Sequence, residues 1–106
     1  MGKYLIVGTY TADGAKGVLR EGGTGRRDAA RAAIASMGGT VESFHFALGS
    51  DEWYVIVDLP DPASAAAIAL IGTASGTLRS RAIALVTPEE MDAVAGRAID
   101  FRPPGD

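Results

Sequence analysis

Short apolar runs, separated by glycine, proline and small polar residues, divide the chain into strand and helix candidates. Lys3 to Tyr10 (KYLIVGTY) is rich in β-branched and aromatic side chains and predicts a first strand. Glycines at 14, 17, 22, 23 and 25 interrupt the next fifteen residues, so no more than one helical turn is expected there, around Ala15 to Arg20. From Arg26 the period changes: Ala29, Ala30, Ala33, Ile34 and Met37 recur at helical spacing, and Gly38-Gly39 offers the left-handed residue that closes a helix. Thr40 to Leu48 and Trp53 to Leu59 read as two strands joined by the hairpin Gly49-Ser50-Asp51-Glu52. Asp61-Pro62 starts a second helix, through Ala63 to about Ala74, with an N-cap carboxylate and proline at the first helical position. Thr77 to Val86 is the fourth strand, and Thr87-Pro88-Glu89-Glu90 is a capping box that opens a short last helix. The order β-α-β-β-α-β plus a terminal helix predicts an α+β, ferredoxin-like domain over residues 1–99, with strand one between strands three and four and a tail at 100–106.

An antiparallel sheet with one wet face alternates apolar and polar residues. These strands do not. Strand one presents Leu5 and Val7 to one side and Tyr4, Ile6 and Tyr10 to the other; strand three presents Trp53, Val55, Val57 and Leu59 to one side and Tyr54 and Ile56 to the other. There is helix enough to cover one face, so a second subunit is expected over the other. Residues 62–78 carry no charge, which also suits burial against a partner. A homodimer or larger homo-oligomer is the expectation, with sheets packed face to face.

Composition narrows the function. At 106 residues the chain makes one domain, and 47% apolar against 22% charged residues favours a folded core over disorder. Ten basic against 13 acidic residues leave a net charge of −3, which argues against a nucleic-acid surface. The lack of cysteine removes disulfides, thiolate metal sites and cysteine nucleophiles, and with one histidine no metal-ligand spacing stands out. No membrane span is read, and no basic-then-apolar leader is seen, so a cytoplasmic protein is expected.

The hairpin places side chains. If its loop is symmetric about Ser50 and Asp51, Phe46 faces Val55, Phe44 faces Val57 and Leu48 faces Trp53 on an apolar side. On the other side His45 faces Ile56 and Ser43 faces Asp58, and His45 reaches Asp58 or Tyr54 along a diagonal. His45, the only histidine, is the one side chain whose ordinary pKa suits proton transfer near neutrality, and a His–Asp pair suits a general base; the alternative is a satisfied residue at an interface between sheets. Ser43 beside these residues suggests a hydrolase triad, but no nucleophile elbow surrounds it. Tyr4 and Tyr10 share a strand face with Gly8, where a missing side chain marks close approach of a ligand or backbone; their hydroxyls suit a carbonyl or enolate, or they are large core residues with the hydroxyl at the rim. Arg79 and Arg81 project from one face of strand four; they suit a carboxylate or phosphate, or blunt an edge strand.

Several short motifs point to a family. Tyr10-Thr11-Ala12-Asp13-Gly14, Gly38-Gly39, Val57-Asp58-Leu59-Pro60-Asp61, Thr77-Leu78-Arg79-Ser80 and Thr87-Pro88-Glu89-Glu90 together resemble the GYD domain family over residues 3 to 95. The resemblance implies a ferredoxin-like chain that assembles as a dimeric α/β barrel. It implies no reaction; barrel relatives include cofactor-free oxygenases, isomerases, cyclases and haem-degrading enzymes. This sequence departs from the family in the hairpin, with Asp51 where tyrosine is expected and Glu52 where aspartate is expected. Two functions stand as expectations. One is a cofactor-free enzyme on a small, largely apolar organic molecule held between sheet and helices, with His45 as base, Asp58 orienting it and Tyr10 or Tyr54 as polariser. The other is a metabolite-binding or assembly protein without turnover. A haem on His45 stands behind both.

Overall fold

The computed structural model describes residues 1–49 and 51–106. Strands β1 (Gly2–Tyr10), β2 (Thr40–Phe46), β3 (Trp53–Leu59) and β4 (Leu78–Leu85) form one antiparallel sheet of order β2-β3-β1-β4. Helices α1 (Ala12–Ser36) and α2 (Pro62–Ala74) lie against one face, and α3 (Pro88–Ala95) comes after β4. The architecture is the α+β, ferredoxin-like one expected. Among the described residues no helix is long and apolar enough to cross a membrane.

The core sits between the sheet and the two long helices. Tyr4, Ile6, Trp53, Val55, Val57 and Leu59 turn toward the helices and pack with Ile34 of α1 and Ala65 of α2. On the opposite face Leu5 is flanked in register by Ile56 and Ile83, an apolar row across three strands with no helix of the described residues over it. The strand faces therefore divide as their alternation predicts. Asp61 caps α2 by accepting from Ser64 N at 2.8 Å, and that bond holds its carboxyl below the ordinary carboxylate value. The Thr87–Glu90 capping box of α3 is present with both of its hydrogen bonds.

Two expectations are corrected. The glycine-rich segment is helical from Ala12 onward instead of holding a single turn, and a break at Gly22 (φ 78°, ψ 171°) splits α1 into two parts. Glycine's poor propensity is overridden by a cap and by packing. Thr11 Oγ1 accepts from Gly14 N at 3.2 Å, and Gly14 lies so close to β4 that a Cβ there would sit 1.7 Å from the Thr77 carbonyl oxygen.

The second correction is the hairpin register. His45 pairs with Tyr54 rather than Ile56, Ser43 with Ile56 rather than Asp58, and Phe46 and Phe44 with Trp53 and Val55. Leu48, expected opposite Trp53, lies beyond the end of β2. The backbone bond from Ala47 N to Glu52 O at 2.8 Å continues that register and moves the hairpin centre one residue toward the N-terminus; Ser50, on which the expected centre fell, lies outside the described residues. Moving a hairpin centre by one residue changes pairing partners by two, so the faces survive while the partners change. A bulge at Glu42 then sets Asp58 opposite Thr40.

Candidate functional site

A cavity of about 160 Å³ opens between the sheet and the helices. The second half of α1 gives it a wall of small residues, Ala29, Ala30 and Ala33, which keep the helix backbone close while leaving room. Ile6, Val55, Phe44, Ile68 and Leu78 complete an apolar lining drawn from every strand and from α2.

Tyr10, Trp53, Arg26 and Ser80 are the polar members of that lining. The Tyr10 and Trp53 rings pack at 6.2 Å between centroids, tilted by 41°. Burial pushes the Tyr10 phenol above its ordinary value, against smaller opposing effects of the neighbouring Arg26. The Arg26 guanidinium is paired with Glu21 at 3.1 Å, and Glu52 Oε1 accepts from Tyr10 N at 3.3 Å. Ser80 Oγ donates to the Ala69 carbonyl at 3.1 Å. Trp53 is only 7% exposed, and its Nε1 is the buried side-chain polar atom that lacks a hydrogen-bond partner among the described residues. Leaving such a donor unmet costs about 1–3 kcal/mol. Gly8 explains how the indole is seated. A Cβ there would lie 2.4 Å from both the Arg79 carbonyl oxygen and Trp53 Cζ2, so the backbone of β4 and the indole close on this glycine together.

The residues singled out from the sequence fall in three places. Tyr10 lines the cavity; Tyr4 is buried in the core, with its hydroxyl near Gly2. His45, Tyr54 and Asp58 lie on the sheet face away from the cavity. There His45 and Tyr54 are exposed cross-strand partners, while the Asp58 carboxylate lies 3.9 Å from Lys3 Nζ, which also bonds Glu42. Arg79 and Arg81 share that face, beside Thr9 and Val7, and Arg81 reaches Asp51 at 3.5 Å. The structure thus brings His45 to Tyr54 but not to the cavity.

Trp53, Arg26 and Ser80 are the polar cavity residues that the sequence did not mark as a site. The signal for Trp53 was its register: a large side chain directly opposite Gly8, filling the space that the glycine leaves. Arg26 had none, because its place depends on where the two parts of α1 meet.

The family model described as GYD domain matches residues 4–95 of the chain. No curated protein and no solved structure matches it.

Proposed function

This chain belongs to the GYD domain family, and we propose that it binds a small, neutral, largely apolar molecule in the cavity between sheet and helices. The observation that carries this is a lining built mostly of alanine, isoleucine, valine, leucine and phenylalanine, whose few polar members include Trp53 with its unmet Nε1–H. An apolar cavity of about 150 Å³ accommodates a molecule the size of benzene. A ligand of that size with one hydrogen-bond acceptor satisfies the indole and buries its own hydrocarbon. Charge at the mouth selects against a carboxylate: Arg26 is already answered by Glu21, and Glu52 stands beside Tyr10. Binding is favoured over catalysis because, among the described residues, the lining holds no histidine or carboxylate to move a proton at neutral pH. His45 sits across the sheet.

The same proposal includes a homodimer joined through the uncovered sheet faces. Its support is the Ile56–Leu5–Ile83 row, which a second copy removes from water. His45 and Tyr54 then lie at the subunit interface.

The single tryptophan makes the cavity testable, because its indole N–H is one resolved signal in a ¹H–¹⁵N spectrum. Titration with cyclohexane, cyclohexanone and cyclohexanecarboxylate compares a hydrocarbon, a neutral acceptor and an anion built on the same six-membered ring. Cyclohexanone is expected to shift the indole signal and to bind roughly tenfold more tightly than cyclohexane, the equivalent of about 1.4 kcal/mol. Trp53→Phe keeps the ring and removes that advantage. If none of the three perturbs cavity residues, the proposal fails.

A further inference from the structure

The chain beyond β4 touches almost nothing of its own domain. Every residue from Val86 to Asp106 is exposed, including Met91 and Val94 on α3 and, further on, Ile99 and Phe101 at 75% and 71%. The radius of gyration is 16.7 Å, against about 13 Å for a compact chain of this length, and the longest dimension is 54 Å. Yet α3 is well specified locally, with proline at its first turn and a complete capping box. An eight-residue helix is far shorter than the ~12–15 residues at which isolated helices become even marginally stable, so capping alone does not hold it. The apolar residues continue past it with a period of two: Ile99 and Phe101 alternate with Asp100 and Arg102.

We propose that this C-terminal arm clasps a second copy of the chain at the β4 rim of its open sheet face. Charge supports that occupant. The arm's helix carries Glu89, Glu90 and Asp92, whereas the β4 rim carries Arg81 and also Arg79, which has no ion-pair partner among the described residues. Interface size supports it too. The open sheet face offers roughly a dozen side chains, short of the ~20–30 residues a side typical of a stable interface, and the arm makes up the difference. In a twofold pair each arm reaches the other's rim, so the contact closes without leaving a free end.

The inference rests on the face-to-face dimer proposed above, and sedimentation equilibrium on the full chain separates the two. Ile99→Asp with Phe101→Asp alters only exposed arm residues, whereas Ile56→Asp strikes the sheet face. Both are expected to weaken dimerisation at least tenfold with circular dichroism unchanged. Arg79→Glu is expected to weaken it as well, and Glu89→Arg with Glu90→Arg in the same chain to restore it. An arm variant that dimerises like the parent, while Ile56→Asp does not, overturns the arm contact and leaves the dimer standing. A full chain that sediments only near 10.9 kDa at high micromolar concentration overturns both.

Discussion

Replacing Gly14 by alanine isolates the contact that seats the first part of α1. In a helix interior this exchange normally stabilises by roughly 0.8–1.0 kcal/mol. Here the new Cβ would lie 1.7 Å from the Thr77 carbonyl oxygen and 3.2 Å from Tyr10 Cδ1. Gly14 has ordinary helical backbone angles, so crowding is the whole of the penalty. To restore an ordinary contact the helix must retreat from β4 by roughly 1.5–2 Å. That movement breaks two hydrogen bonds of Thr11, from its N–H to the Thr77 carbonyl at 3.0 Å and from its hydroxyl to the Gly76 carbonyl at 2.8 Å. Lost bonds at about 1 kcal/mol each, with residual crowding, outweigh the propensity gain and leave a net cost of about 2–3 kcal/mol. Thermal and urea unfolding measure it; for a chain of this size the melting temperature falls by roughly 10 °C or more. Gly17→Ala in the same helix is the control, since the nearest atom to its Cβ is the flexible Arg20 Nη2 at 3.8 Å, and it is expected to stabilise. Were Gly14→Ala as stable as Gly17→Ala, the Thr77 contact would not be what anchors α1.

Two further predictions concern the core and the cavity. Leu59 is fully buried, and Leu59→Ala is expected to cost about 2–5 kcal/mol in urea unfolding, whereas Leu70→Ala, on the exposed side of α2, changes it by less than about 0.5. Burial raises the Tyr10 phenol in the folded state, so the folded chain holds that proton more tightly than the unfolded one. The resulting stability is present below about pH 10 and lost as pH rises through the raised value. The Lys3 ammonium, raised chiefly by its hydrogen bond from Nζ to Glu42, adds to the loss in the same window. Tyr10→Phe should therefore flatten the alkaline decline in urea midpoint without abolishing it, and an unchanged slope would count against a buried phenol.

Local signals were enough to read most of the architecture. Asp61 with Pro62, and Thr87 with Glu90, mark helix starts by chemistry that acts within four residues, and both caps form. The faces of β1 and β3 were equally legible, because strand parity depends only on counting by two and survives a shift of loop centre. What depends on contacts distant in sequence was not legible. Whether the glycine-rich segment turns or becomes helix is decided where Gly14 meets Thr77, some sixty residues further along the chain. Spacing alone makes His45 a neighbour of Asp58, but the loop centre and the bulge at Glu42 put Tyr54 opposite the histidine and leave Asp58 beside Lys3. The cavity exists because Trp53 lies over Gly8 and the alanines of α1 hold a helix against that surface, an arrangement spread over three elements. Residue type and spacing determined which elements form and which side of each is apolar; only tertiary packing decided which polar groups meet, because partners are set by register and close contact between segments that local propensity does not link.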